Sequence, residues 1–309
     1  MNIALSFIFS QYEISVIDTL TNMLYNERFD EFENSLKRFY GEVDTNILRC
    51  IKLGFLELYM TDNSTDYRYG EFVALMDTLV NLPQNNTRNK LYVAVSSAIG
   101  AVFYGRRGDI TKAISLGNIS FSLFSEIYSE NPDVYDSYLP LGIYHFAMGY
   151  LSRSSSRKKR GIEMVKESAK RGVLVKPLAY AALVYIYVFD KKPGYAVDYG
   201  IKALELYPKS RTFRWILAYA YKEAGMYKDA IRVYMEILMD LNRRNPNCNV
   251  CLAEVYFHLG ESYKALGDDE KAKKSFWSSY YYASSEEDPY RRRKVKEILR
   301  KLAKYGIGG

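Results

Sequence analysis

Apolar residues along this chain recur at intervals of three and four positions, which is the spacing of one face of an α-helix. We find no run of alternating apolar and polar residues bounded by turn signals, so strands are not predicted. In the clearest segment, one helix ends at a glycine, where a positive φ is favoured, and a second helix follows. This segment runs Tyr256-x-x-Leu259-Gly260-x-x-Tyr263-x-x-x-Gly267, followed by Ala272 and Phe276. The pattern predicts an all-α fold made of helical hairpins.

The same pattern occurs twice more, immediately upstream. One copy runs Tyr180-x-x-Leu183-x-x-x-Tyr187 with Ala196, Ala203 and Pro208, and the next runs Leu217-Ala218-x-x-Tyr221-x-x-x-Gly225 with Ala230 and Tyr234. Ala196 and Ala230 are 34 residues apart, whereas Ala230 and Ala272 are 42 residues apart. The longer interval predicts one hairpin with about two extra helical turns.

These three segments resemble the tetratricopeptide-repeat (TPR) family, and the resemblance covers Lys176 to Ser285. It implies a right-handed α-solenoid in which the first helix of each hairpin, helix A, lines a concave groove. The second helix, helix B, crosses helix A most closely at a small residue. The resemblance assigns this packing to Tyr104, Gly108, Ala113, Ala196, Tyr221, Gly225, Ala230, Gly260, Tyr263, Gly267 and Ala272.

Upstream of Lys176 the pattern weakens but persists. Gly100-Ala101-x-x-Tyr104-x-x-x-Gly108 with Ala113 forms one unit, and Leu141-Gly142-x-x-His145 with Gly161 and Val165 forms another whose turn is expected to be swollen. Helices are predicted near Asn46–Met60 and Tyr69–Leu82, and an earlier turn and helix near Tyr25–Phe32. The sequence thus predicts about seven hairpins, with Arg291–Lys304 as a C-terminal capping helix.

The expected organisation is a divergent N-terminal part over residues 1–88 and a TPR-like solenoid with its capping helix over residues 89–309, continuous with the first part. Leu82–Asn89, Ser152–Arg160 and Asn242–Asn249 are candidate breaks in the stacking of the hairpins. Because a single hairpin cannot bury its apolar face, stacked hairpins form one continuous core. An elongated superhelix is therefore expected.

Composition and charge narrow the possible functions. Hydrophobic residues make up 48% and charged residues 26% of the chain, which is typical of a globular protein. No apolar stretch approaches the ~20 residues of a transmembrane helix. The net charge of +7 is concentrated in two basic runs, residues 152–160 and 291–304. Such runs are usually solvated helix faces, and binding of nucleic acid or an anionic surface is the alternative.

The N-terminal segment Met1–Ser10 is short, apolar and free of basic residues. It is either the remnant of a signal peptide or the apolar face of the first helix. The stretch Tyr135-Asp-Ser-Tyr-Leu-Pro-Leu-Gly-Ile-Tyr-His-Phe146 resembles divergent bacterial TPR proteins that often carry export signals. The expected location is therefore the cytoplasm, or the periplasm or exterior if Met1–Ser10 is a signal remnant.

Convergent titratable groups, which a catalytic site requires, are not apparent in the sequence. His145 falls where the repeat usually has a Tyr, and His258 is expected to be a polar surface residue. Phosphate-loop, calcium-loop and zinc-protease motifs are not found, so neither an enzyme nor a cofactor is expected. Cys248-Asn-Val-Cys251 supplies only two of the four ligands that zinc needs. Two buried thiols are the favoured interpretation, with a local disulfide as the alternative if the protein is exported.

The favoured function is a non-catalytic scaffold that binds a peptide or protein partner in the groove. The Asn of the carboxylate-clamp type of TPR is missing from the groove positions, so a C-terminal carboxylate ligand is not expected. Nucleic acid is a less favoured partner, and self-assembly through open ends is a further alternative. The TPR resemblance gives as groove candidates Leu139, Ile143, Phe146, Tyr185, Phe189, Trp215, Tyr219, Lys222, Phe257, Glu261 and Lys264.

Overall fold

Fifteen α-helices form seven consecutive hairpins and one final helix in a computed structural model that describes residues 8–288 and 291–308. The all-α fold and the hairpin count predicted from the sequence are confirmed. The odd-numbered helices α1 to α13 are the A helices, and the even-numbered helices are the B helices. Their bounds are α1 Gln11–Tyr25, α2 Phe29–Phe39, α3 Thr45–Asp62, α4 Tyr69–Val80, α5 Thr87–Arg107, α6 Ile110–Glu130, α7 Tyr138–Leu151, α8 Ser155–Arg171, α9 Lys176–Phe189, α10 Pro193–Leu206, α11 Arg211–Glu223, α12 Tyr227–Arg244, α13 Asn249–Ala265, α14 Asp269–Ser284 and α15 Arg292–Ala303.

Three of the hairpin turns depend on glycine. Gly108, Gly225 and Gly267 lie between an A and a B helix with φ of +83°, +74° and +78°, a region that other residues rarely adopt. In two of these turns an aspartate follows and caps the next helix. Asp109 accepts a hydrogen bond from the backbone N of Lys112, and Asp268 accepts one from Lys271.

Small residues mark the places where A and B helices approach each other. Ala196, Ala230 and Ala272 are buried near the starts of α10, α12 and α14. A Cβ atom on Gly260 would lie 2.5 Å from the ring of Phe276 on the facing helix. These positions therefore let the two helices of a hairpin pack at short range.

The fourth hairpin, α7 with α8, is packed backbone to backbone. A Cβ on Gly161 would lie 2.4 Å from the backbone N of Phe146, and one on Gly142 would lie 2.7 Å from the carbonyl O of Gly161. The turn between the helices comprises only residues 152–154. The swollen turn expected here is wrong, because Ser154 caps α8 and the basic residues 157–160 belong to its first turns.

The wider spacing between Ala230 and Ala272 arises from longer helices. α12 has 18 residues against 14 in α10, and α13 has 17 residues against 13 in α11. Each helix gains about one turn, so the two extra turns predicted from the interval are present.

The array curls back on itself and brings its first hairpins against its sixth. The side chain of Asn26 accepts a hydrogen bond of 3.0 Å from the backbone N of Lys209, and the Tyr25 ring lies 5.5 Å from that of Phe213. The elongated superhelix expected from the sequence is therefore wrong. Stacking between neighbouring hairpins does not fix the curvature of an array, whereas contacts between distant turns do.

The last helix, α15, does more than cap the final hairpin. Its apolar side buries Ile298 and Leu302 against the core. At its start, Arg291 donates to the carbonyl O of Ser64 at 2.7 Å, and Arg293 donates to that of Arg106 at 3.4 Å. α15 thus joins the end of the chain to the second and third hairpins.

The N-terminal signal prediction for Met1–Ser10 falls mostly on residues 1–7, which lie outside the described residues. Phe9 is buried against Tyr92, and Ser10 caps α1 in a reciprocal pair with Glu13. Within the described part of the chain, no helix combines the length and apolar character needed to cross a bilayer.

Candidate binding surfaces

A central chamber of about 1090 Å³ lies inside the curled array. Every A helix contributes to its wall, together with the start of α15. The chamber therefore occupies the concave side that the TPR resemblance predicts as a groove. Its volume is slightly above the ~300–1,000 Å³ that is typical of small-molecule sites.

Apolar side chains of the wall are only partly covered by protein. Val102, Ile143, Leu178 and Tyr185 line the chamber, yet each side chain is between 43% and 49% exposed. Water against such a surface is unfavourable, and a concave apolar surface of this kind is typical of a ligand site.

The charged side chains in the wall are largely paired with one another. Each carboxylate has a partner from the protein itself, which reduces its capacity to bind a ligand. The pairs are Glu57 with Arg106, Asp62 with Thr212 at 3.0 Å, Glu254 with Lys294 at 2.5 Å, and Glu297 with Lys301 at 2.8 Å. Burial raises the pKa of Asp62, whereas Lys294 and His258 hold the pKa of Glu254 below its usual value even though burial opposes them.

The structure brings together five of the residues that the sequence analysis assigned to the groove. All five contribute to the chamber wall, and they come from three consecutive A helices. They are Leu139 and Ile143 of α7, Tyr185 of α9, and Trp215 and Tyr219 of α11. Trp215 packs edge-on against Tyr234, with ring centroids 5.6 Å apart.

Four more groove candidates lie on the A helices α9, α11 and α13 and do not contribute to the chamber wall. Phe189 is one helical turn after Tyr185 and is 60% exposed at the end of α9. Lys222 and Glu261 form an ion pair of 2.9 Å between α11 and α13, and Lys264 pairs with Asp269. We call the set Tyr185, Phe189, Tyr219, Lys222, Glu261 and Lys264 the A-helix strip.

Within the A-helix strip, Glu261 is an ionisable residue whose pKa is strongly shifted. It accepts from Lys222 and lies 3.1 Å from Nδ1 of His258. Burial opposes ionisation of this carboxyl, but these two partners outweigh it and lower the pKa of Glu261 to about 2. Glu261 is therefore ionised at any physiological pH.

The remaining two groove candidates lie in the hairpin core. Phe146 is buried beside the close contact of α7 and α8. Phe257 is buried between Phe276 and Tyr305, with ring centroids 5.9 Å and 6.2 Å away. Neither ring contributes to the chamber wall.

The sequence of the seventh hairpin matches a known repeat family. Residues 253–276, which span most of α13 and the start of α14, match the tetratricopeptide repeat family. The seventh hairpin is therefore a tetratricopeptide repeat. TPR repeats are protein-interaction modules, and the general role of this TPR protein is that of an interaction scaffold.

Similar solved structures show low sequence identity to this TPR protein. MamA (AMB-1) is 21% identical, with 62% of this chain and 99% of that chain covered and a TM-score of 0.44. BtubC from P. vanneervenii is 18% identical, with 72% and 94% covered and a TM-score of 0.45. The APC/C hetero-tetramer Cut9–Hcn1 is 16% identical, with 93% and 54% covered and a TM-score of 0.49. No curated protein matches the sequence.

The cysteine pair of this TPR protein is a disulfide, so the favoured interpretation of two free thiols is wrong. Cys248 and Cys251 are bonded at the start of α13, and the bond packs against the turn after α3, where Sγ of Cys248 lies 3.8 Å from the carbonyl O of Asn63. Burial raises the pKa of the third cysteine, Cys50, to about 12, which makes it unreactive. Across residues 8–288 and 291–308, no group of three or more His, Cys, Asp or Glu side chains is placed to hold a metal ion.

The two histidines differ in their surroundings. His258 lines the chamber and stacks on Tyr234 with ring centroids 5.4 Å apart. Burial, and to a lesser extent Arg160 and Arg157, lowers the pKa of His145. The position of His258 in the chamber wall could not be predicted from the sequence, because it depends on the packing of α13 against α12.

Proposed function

We propose that this TPR protein binds an exposed segment of a partner protein along the A-helix strip. The observation that carries the proposal is Phe189, a large apolar side chain that is 60% exposed one helical turn after the chamber residue Tyr185. Its neighbour Tyr185 is 45% exposed and contacts the ring of Tyr219, 5.8 Å away. Partly exposed aromatic rings next to polar groups are typical anchors of protein interfaces.

The charged end of the strip provides orientation rather than most of the affinity. Lys222 and Glu261 already neutralise each other, and Lys264 is paired with Asp269 at 2.6 Å. Charged groups that are already paired within the protein add little binding energy for a ligand and influence mainly specificity and association rate. The fitting ligand is therefore a segment with apolar anchors and few charges.

Partner capture by the purified protein, followed by affinity measurement, tests the proposal. Phe189→Ala is expected to weaken binding at least ~10-fold, because aromatic anchors dominate such interfaces. Met239→Ala is the matched control, since Met239 is 61% exposed on the outer helix α12. An equal effect of both substitutions, or none from Phe189→Ala, would contradict the strip as the binding surface.

A salt titration separates this proposal from binding of nucleic acid or an anionic surface. Arg292, Lys296 and Arg300 are exposed on α15, and their triple replacement by Gln removes charge without touching the strip. Binding along the strip should survive this variant and depend weakly on salt. Loss of binding in the triple variant, with steep salt dependence, would instead indicate a polyanion as the ligand.

A further inference from the structure

The central chamber has features that the A-helix strip does not explain. Its wall contains the half-exposed apolar side chains Val102, Ile143 and Leu178, which face a partly open volume of about 1090 Å³. By volume the chamber would hold roughly 36 water molecules. Water next to these apolar side chains has fewer hydrogen-bond partners than bulk water, so an apolar occupant that displaces it there gains free energy.

A peptide is a poor occupant of this chamber. An extended peptide has one backbone N–H donor per residue, and burying these without acceptors is costly. The carboxylates that could accept are already paired, as with Glu254 and Lys294 or Glu57 and Arg106. A hydrocarbon chain avoids this cost, because it has no polar groups along its length that would need hydrogen-bond partners.

Arg293 is a positively charged side chain at the chamber wall that can bind an anionic head group. Arg293, at the start of α15, donates to the carbonyl O of Arg106 and forms no ion pair within the described part of the chain. Its side chain is exposed at the chamber wall. A carboxylate can pair with this guanidinium in the bidentate geometry that arginine favours.

We propose that the central chamber binds a molecule with a long hydrocarbon chain and an anionic head, with the chain against Val102, Ile143 and Leu178 and the head at Arg293. Tyr185 and Tyr219 belong both to the strip and to the chamber wall, but the contacts proposed here are with other residues. The proposal does not depend on the partner segment. It assigns a small-molecule ligand to a fold whose repeats are protein-interaction modules.

The experiment uses the whole protein with palmitate as the probe. The protein has two tryptophans, so the Trp277→Phe variant retains Trp215 of the chamber wall as its single tryptophan. Palmitate is expected to change the emission of Trp215 and to bind with one molecule per chain in native mass spectrometry, whereas butyrate, which lacks the long chain, should do neither. Absence of palmitate binding in both measurements would overturn the proposal.

Two pairs of variants locate the site. Val102→Phe projects a larger ring into the chamber and should weaken palmitate binding at least ~10-fold, while Ile114→Phe, on the outer helix of the same hairpin, should not. Arg293→Gln should remove the preference for palmitate over hexadecanol and leave hexadecanol binding unchanged. Helical circular dichroism of each variant confirms folding.

Two further results would overturn the chamber as the site. One is palmitate binding with unchanged affinity in Val102→Phe. The other is displacement of palmitate by the captured partner segment, together with loss of palmitate binding in Phe189→Ala, which would place both ligands on the strip. If palmitate binds as expected while Phe189→Ala leaves partner binding intact, the strip proposal fails and the chamber proposal stands.

Discussion

Glu27 and Arg211, which are 184 residues apart in the sequence, are joined by a hydrogen bond from the backbone N of Arg211 to the carboxylate of Glu27. The same carboxylate pairs with Arg244 at 2.8 Å, and the Arg211 side chain reaches the carbonyl O of Asp62 at 3.1 Å. The pKa of Glu27 is raised by burial and by the nearby Asp62, which means that these surroundings disfavour the ionised carboxylate. This polar contact closes the array around the chamber.

Replacing Glu27 by Ala should open that contact. The backbone N of Arg211 and the charge of Arg244 would lose a buried partner, which costs on the order of 1–3 kcal/mol. The positive φ of Glu27, 57°, is equally unfavourable for Ala, so backbone strain cancels in the comparison. Denaturant unfolding should show the loss, and small-angle scattering should show a larger radius of gyration.

Glu31→Ala provides the control for the closing contact. Glu31 is in the next helix, and its pair with Arg28 lies on the surface, where the Glu31 side chain is 60% exposed. Little change is expected. If Glu27→Ala leaves both the stability and the radius of gyration unchanged, the closure does not depend on this residue.

The crossing of α7 and α8 should tolerate no added atom at Gly161. Because the Cβ of Gly161→Ala would meet the backbone N of Phe146 at 2.4 Å, one helix must shift, and we expect a loss of at least ~2 kcal/mol. Gly194→Ala is the matched control, since a Cβ there meets nothing within 4 Å. That change should be neutral or stabilise by up to about 1 kcal/mol. Equal unfolding free energies for the two variants would contradict the close backbone contact.

The hairpins were predictable from the sequence and the closure was not. Apolar periodicity and the glycines of the turns are local signals, and they gave the number of hairpins and the extra turns of α12 and α13. The closing contact depends on single polar side chains in turns far apart, such as Glu27 and Asn26. Asp136 is a similar case, because it accepts hydrogen bonds from the backbone N of Val173, Leu174 and Val175, a role that no spacing reveals.

The chamber was only partly predictable for the same reason. Helix periodicity and the TPR resemblance gave the A-helix faces, so Ile143, Tyr185 and Trp215 could be named in advance. Whether those faces form an extended groove or a central chamber depends on the curvature of the helical array. The contribution of α15 through Arg293 also lies outside the repeat pattern.

The disulfide gives a direct chemical prediction. Protein purified without reductant and then denatured should show one titratable thiol, from Cys50, and three after reduction. Closing so short a loop stabilises by only about 1–2 kcal/mol in the chain-entropy account. The double variant Cys248→Ser/Cys251→Ser should therefore melt a few degrees below the oxidised protein and match the reduced wild type. Three thiols in the unreduced protein would contradict the bond.

Glu261 should make stability depend on pH in the acid range. Its pKa in the folded protein is lowered to about 2 from an ordinary value of 4.5, so the folded state favours the ionised carboxylate. The resulting stabilisation is complete above pH 4.5 and is lost as the pH falls through about 2. Because the side chain is 25% exposed, solvent screening reduces the effect to on the order of 1–2 kcal/mol.

Glu261→Gln tests this dependence. The variant should be less stable than the wild type at pH 7, and the difference in unfolding free energy should shrink between pH 4.5 and pH 2 as the wild-type carboxylate is protonated. Glu270→Gln, an exposed position at the start of α14, should show no such convergence. Added salt should reduce the difference at pH 7, because Lys222 acts on Glu261 through its charge. A difference that stays constant from pH 7 to pH 2 would mean that Glu261 stabilises the fold through packing and not through its ion pair.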